Sequence, residues 1–352
     1  MTGSFFMGGF MKQIVILHNK KRIEKIFGKN SIVKIQDALV SSLGELLFID
    51  VEDGKEKKVK KYIFEGLNDS ILVIIGNDEL FPFHRIKSPV DDGDGIILTD
   101  NFFVCEDKEL LFPEIEITRI PNSKDENLKS FLNKVEKILS VKSIKIFEKN
   151  GITAEIWKKA SFEVFSKVKG QGDILISPPF DVSKKYDFEN FTGSFYFNLH
   201  GSDELPGWYG QRSRISDYKE EYPLALLPKS FRKGIKDSFF FSEACFGGYI
   251  YKKKENDSIV LTALKNSFLF CVASTATAYG PLYPPSSEAD LLAKLFFENM
   301  QKGNRASLSM LNAKKEFIRT NLEKNRYLDE DDKKTLIEFT LYGNPLVEVS
   351  YE

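Results

Sequence analysis

Short apolar runs alternate with amphipathic stretches along most of this chain. That alternation is the mark of strands and helices taking turns, and it predicts an α/β fold with a mostly parallel sheet flanked by helices. Strands are expected at residues 13–17, 45–50, 71–75, 96–103 and 114–120, followed by a helix over 125–140. A charged connection spans 141–151. The pattern then restarts with a helix over 154–168 and strands at 173–177, 194–199, 238–242 and 268–273. Helices at 288–302 and 305–322 and a last strand at 346–350 complete it. The restart predicts two α/β subdomains side by side, residues 11–145 and 146–352, with residues 1–10 as a short extension.

Two of the expected strands end in reactive side chains. Phe195-Tyr196-Phe197-Asn198-Leu199-His200-Gly201 delivers an imidazole to a glycine turn. Phe239-Phe240-Phe241-Ser242-Glu243-Ala244-Cys245-Phe246-Gly247-Gly248 delivers a thiol to another. Neighbouring parallel strands would bring both to one rim of a sheet, where open α/β folds keep their sites. A cysteine and a histidine distant in sequence but close in the fold are the parts of a nucleophile site. Gly201 lets backbone approach a substrate carbonyl. The N–H groups of Gly201 and Cys245 are candidates for holding an oxyanion. In such a setting the thiol pKa is expected to fall. His84 reads as a loop residue, and Cys271 as a small hydrophobe inside a strand.

Composition narrows the picture. Against 50 Lys and Arg stand 51 Asp and Glu, which leaves no global field for nucleic acid or an anionic membrane. The chain is 42% hydrophobic and 13% aromatic, with 31 Phe, enough for a large core. Three cysteines make no disulfide framework and fit a reducing compartment. No stretch approaches the ~20 apolar residues of a membrane span. A cytoplasmic protein is expected. Asp91, Asp92 and Asp94 crowd a glycine-containing turn that offers oxygen ligands suited to calcium, although EF-hand spacing is absent and a solvated turn is the alternative. Trp208, in the loop after His200, suits the wall of a peptide groove or packing of that loop on itself.

A strand ending in His-Gly, followed by a strand ending in acid-Ala-Cys-x-x-Gly, resembles the caspase-fold cysteine peptidases, the superfamily of caspases, clostripain and gingipains. Further pieces resemble the gingipain branch. They are Ile74-Ile75-Gly76-Asn77-Asp78-Glu79-Leu80-Phe81-Pro82-Phe83, then Asp91-Asp92-Gly93-Asp94-Gly95 before Thr99-Asp100-Asn101, then Pro113-Glu114-Ile115-Glu116-Ile117-Thr118-Arg119-Ile120-Pro121. Later come Ser274-Thr275-Ala276-Thr277-Ala278-Tyr279-Gly280-Pro281 and Tyr342-Gly343-Asn344-Pro345. Together they cover roughly residues 70 to 350. Thr118, Asn77 and Asn344 depart from the branch pattern without touching the Cys–His pair.

The resemblance implies a caspase-like sheet, a nucleophile Cys245 and an acid–base His200. It implies that Glu114 orients the imidazole, and that calcium is bound structurally. It places Glu243, two residues before the nucleophile, in the specificity pocket, with Asp125 and Glu126 as a second acidic source there. A carboxylate in such a pocket selects Arg or Lys. The expected function is a cysteine endopeptidase needing no cofactor, acting on polypeptides and controlled by a regulatory protein partner. A catalytically silent interaction module of the same fold is one alternative. A nucleotide-binding α/β protein is another, although no Gly-x-Gly-x-x-Gly or Gly-x4-Gly-Lys-Ser/Thr motif is present.

Overall fold

A computed structural model describes residues 12–182, 193–231, 237–266 and 268–351; the expected extension at 1–10 lies outside them. Its first half is aliphatic. It contains β1 (Gln13–His18), α1 (Lys20–Phe27), α2 (Ser31–Leu43), β2 (Leu46–Asp50), α3 (Glu56–Gly66) and β3 (Ser70–Ile75). Next come β4 (His84–Lys87), β5 (Ile96–Thr99), β6 (Glu116–Ile120) and α4 (Leu128–Leu139). β1 pairs in parallel with β2 and β3, and β3 with β6. β3, Ser-Ile-Leu-Val-Ile-Ile, is buried at every position, as a parallel strand covered on both faces must be. β4 and β5 form an antiparallel hairpin.

The second half is built on phenylalanine. It runs through β7 (Ser143–Ile146), β8 (Lys149–Ala154), α5 (Lys158–Phe165), β9 (Ile174–Ser177), β10 (Ser194–Asn198), β11 (Trp208–Tyr209), β12 (Leu224–Leu226) and β13 (Ser238–Ser242). α6 (Ile259–Asn266), β14 (Phe268–Ser274), α7 (Glu288–Gln301), α8 (Ala306–Asn325), α9 (Glu330–Glu338), β15 (Phe339–Gly343) and β16 (Glu348–Tyr351) follow. β13 shows how the two-residue period fills both faces. Phe239 and Phe241 pack with α7, including Phe296 and Phe297, whereas Phe240 packs with Phe268 and Phe197 on the other side. Each fully buried Phe contributes about 1.5–3 kcal/mol.

The two halves share one ten-stranded sheet, ordered β2-β1-β3-β6-β15-β14-β13-β10-β8-β9. β15 joins them, lying antiparallel to β14 and meeting β6 where Tyr342 pairs with Arg119. The expected boundary near residue 145 falls inside β7, which pairs with β16. Residues 141–151 are therefore not a plain connection but β7 and the start of β8. Among the described residues no helix is long and apolar enough to cross a membrane.

Candidate active site

β10 and β13 are parallel neighbours, with Phe197 opposite Ser242 as their last pair. Three residues beyond that pair, in the segments that follow the two strands, stand His200 and Cys245. Their main chains touch. A Cβ on Gly201 would sit 2.1 Å from the Cys245 carbonyl oxygen, so only glycine fits there. The Gly201 and Cys245 N–H groups have no partner among the described residues. The turn after the thiol holds Phe246 at φ 55, a left-handed conformation that costs about 1–3 kcal/mol for a bulky residue. Phe246 N–H donates to Ala276 O (2.8 Å) and Gly247 N–H to Ala244 O (2.9 Å), which fixes that turn.

His200 is oriented by a residue the sequence did not single out. Its Nε2 lies 2.8 Å from Gln211 Oε1. Gln211 Oε1 faces the ring while its Nε2 donates to the Tyr222 hydroxyl (3.2 Å); in that pairing the ring proton sits on Nε2. Nδ1 then carries the lone pair. The hairpin of β11 and β12 presents Gln211, pinned through paired Tyr209–His200 backbone bonds. Trp157 covers the imidazole at 4.4 Å between ring centroids, and Tyr222 meets its edge at 5.4 Å. Burial lowers the His200 pKa, and the Gln211 bond offsets part of that drop.

The thiol is not the low-pKa group expected. Burial pushes Cys245 up to about 11, with only partial relief from the Ala278 carbonyl. Sγ donates to Ala278 O at 3.5 Å. Thiol and imidazole are both neutral near pH 7 and are not hydrogen-bonded to each other. Backbone dipoles and an imidazole favour a low thiol pKa, but burial against residues 275–280 outweighs them.

Beneath that cover lies a buried acid pair. Glu243 is 6% exposed and Asp290, in the first turn of α7, is fully buried. Glu243 Oε1 and both Asp290 oxygens lack a hydrogen-bond partner among the described residues. Burial raises both pKa values well above the usual carboxyl range; Asp290 adds to the rise at Glu243, and Glu288 and Glu163 to that at Asp290. Gly280 closes over them. A Cβ there would lie 2.4 Å from Asp290 Oδ2 and 3.9 Å from Glu243 Oε2.

Other expected residues lie elsewhere. Glu114 is exposed, ahead of β6, with its N–H on Val104 O (2.8 Å) and its charge beside Cys105. It makes no contact with His200, whose ring partner is Gln211. Glu126 accepts from Lys134 (2.7 Å), Ser130 and Lys265 and ties α4 to α6. Asp125 accepts from the Glu255 N–H (3.2 Å) and Ser123. Both acids serve the junction of the two halves, not a pocket beside the thiol. Trp208 is 4% exposed and packs on Phe197 and Phe240, so it is core under the Gly247 turn and not a groove wall. Asp91 is exposed, while Asp92 and Asp94 converge on Lys334. Among the described residues no group of three or more His, Cys, Asp and Glu could hold a metal ion.

No protein-family model and no curated protein matches this sequence. Solved structures do match. The Arg-specific cysteine proteinase gingipain R (RgpB) superposes with TM-score 0.59 and 13% identity, over 95% of this chain and 77% of that one. A complex of Porphyromonas gingivalis RgpB pro- and mature domains gives 0.60 at 13%, over 96% and 79%. A further structure, described as a protease, gives 0.61 at 11%, over 96% and 78%. The mostly parallel sheet with its flanking helices is the caspase-like fold of the gingipain cysteine proteinases.

Proposed function

We propose that this protein is a cysteine endopeptidase that cleaves polypeptides after arginine or lysine. The observation that carries the chemistry is the placement of Cys245 and His200 just past the ends of adjacent parallel strands, with Gly201 pressed on the Cys245 carbonyl. The observation that carries the specificity is the buried Glu243–Asp290 pair beside the nucleophile turn, with Glu243 Oε1 and both Asp290 oxygens unmatched among the described residues. No metal or cofactor enters this scheme.

His200 Nδ1 takes the Cys245 proton as substrate seats, and the thiolate attacks the scissile carbonyl. The Gly201 and Cys245 N–H groups hold the resulting oxyanion. The imidazolium, kept in place by Gln211, gives its proton to the departing amine, leaving a thioester. His200 then takes a proton from water, hydroxide displaces the sulfur, and the acid product leaves. Because thiol and imidazole start neutral, the ion pair forms during the reaction. A guanidinium or ammonium from the substrate satisfies the buried carboxyl groups and favours their charged form.

The test uses fluorogenic peptides that differ only in ending in Arg, Lys, Asp or Leu. Wild type is expected to prefer Arg and Lys. Cys245→Ala and His200→Ala should each lower turnover at least ~10³-fold while folding normally, with the double variant little worse. Glu243→Gln and Asp290→Asn should erode the basic preference. Substantial turnover by Cys245→Ala would sink the mechanism, and a preference for Asp or Leu would refute the pocket. The resting pose, with each partner bonded elsewhere, also suits a silent interaction module. Failure of an electrophilic Arg peptide to label Cys245 would favour that second reading.

A further inference from the structure

We infer that Lys334 is a positioning residue for the nucleophile: its ammonium serves as a built-in cation that ties the Asp92–Asp94 turn to the segment lying on Cys245. Lys334 sits in the middle of α9 and has no solvent exposure. Its Nζ donates to Asp92 Oδ2 and to Asp94 Oδ2. Those carboxylates also accept from the segment 275–280. Asp94 takes the Thr277 N–H and the Thr277 hydroxyl, both at 2.8 Å. Asp92 takes the Tyr279 hydroxyl at 2.7 Å. Lys334 also lies 5.1 Å from the centre of the Tyr279 ring. Ala278, between these two anchored residues, supplies the carbonyl that accepts from Cys245 Sγ.

The arrangement has the logic of a metal site without a metal. Two carboxylates and one buried cation organise a loop, as calcium would do with oxygen ligands. The cation is covalently part of α9, so the clamp is set by folding itself. One turn on, Glu338 is buried with neither carboxyl oxygen partnered among the described residues. Burial pushes its pKa well above the usual carboxyl range against the pull of the nearby Lys334, whose Nζ donates to Asp92 and Asp94 instead. The same α9 end accepts the Thr275 N–H at Glu338 O (3.0 Å). Residues 275, 277 and 279 are thus held to α9 or to the aspartates that Lys334 grips. The segment that lies against both the thiol and the acid pair is tied down at these three alternate residues.

The test compares wild type, Lys334→Gln, Lys334→Arg and Asp94→Asn by amide hydrogen exchange over residues 275–281, with kcat and KM for an Arg peptide measured alongside. Lys334→Gln and Asp94→Asn should speed exchange there about tenfold or more and lower kcat more than they raise KM. Lys334→Arg, which keeps the charge, should restore both to within about threefold of wild type. Millimolar calcium chloride added to wild type should leave exchange unchanged. Wild-type exchange in folded Lys334→Gln and Asp94→Asn would overturn the inference, as would calcium-dependent slowing in wild type. Only the kinetic arm rests on the peptidase reading. If wild type cleaves nothing, that reading fails while the exchange arm still decides the role of Lys334.

Discussion

The two halves of the sheet treat several of their buried acids in opposite ways. In the first half, burial comes with partners. Arg119, fully buried, holds Asp100 through Nε at 2.8 Å and Nη2 at 2.5 Å. Its Nη1 donates to the Gly76 and Phe81 carbonyls (2.8 and 2.7 Å), and its guanidinium lies 3.7 Å from the centre of the Phe83 ring. Glu116 is matched by Arg305 and Ser307, and Glu126 by Lys134. In the second half, Glu243, Asp290 and Glu338 are buried with oxygens that find no partner among the described residues. Matched charges knit a fold together. Unmatched ones raise the free energy of the folded state and are tolerated where a ligand or proton completes them. The difference separates a scaffold half from a reactive half more sharply than residue type does, since both are rich in acids.

The strongest way to break that contrast is at the scaffold. Arg119→Ala leaves Asp100 and two carbonyls buried without a donor. It should lower unfolding free energy by about 3–5 kcal/mol, measured by urea titration. A loss under about 1 kcal/mol would mean that water replaces the guanidinium and that the scaffold half is not held by its charges.

The reactive half should respond with the opposite sign. Glu243 and Asp290 have raised pKa values in the folded chain, so folding takes up protons at pH values above the ordinary carboxyl range. Stability therefore falls as pH rises above ordinary carboxyl values, towards the folded pKa values. Replacing either acid by its amide removes that penalty. We expect Asp290→Asn to raise Tm by about 2–4 °C at pH 8, with the gain shrinking towards pH 5. Glu243→Gln should do the same. A lower Tm at pH 8 in both variants would show that the carboxyl groups are stabilising and that the two halves do not differ in this respect.

Much of this division was legible before folding, but unevenly. The strand-end motifs around His200 and Cys245 are local, and local patterns survive translation into structure. The groups that complete the site come from elsewhere. Gln211 reaches the imidazole from a hairpin whose strand β11 is two residues long, too short for any periodicity. Asp290 meets Glu243 only because α7 starts beneath β13. β15, which joins the halves, follows α9 with no residue between them, so no glycine or proline marks its start. β7, Ser-Ile-Lys-Ile, alternates exposed and buried positions but is only four residues long, too short for its period to stand out. Glu114 was placed by motif alone, and the chain carries it to the approach of β6, beside Cys105. The thiol pKa was misjudged for the same reason as the acid pair was missed, since burial by residues 275–280 is a tertiary fact.

The smallest predicted effect is also the most specific to the site. Gln211 offers His200 a neutral oxygen, so nothing at Nε2 favours the imidazolium as a carboxylate would, and burial sets the direction of the shift. The acid limb of kcat/KM should therefore fall below the ordinary histidine value. Gln211→Glu places a negative charge at the same oxygen. That charge favours the protonated ring and should move the acid limb up by about one pH unit. Activity at pH 6 then falls by up to about tenfold, because more of the base is already protonated, while the rate above pH 8 holds or rises. Gln211→Ala removes the orienting bond without adding charge, so it should lower kcat and leave the limb low. A Gln211→Glu profile that superimposes on wild type would mean that the ring nitrogen facing Gln211 is not coupled to the reacting one. The reactive half would then lose the feature that distinguishes its histidine from the scaffold's His18, which ends β1 buried, with Nδ1 unpartnered among the described residues and no thiol on the neighbouring strand ends of β2 and β3.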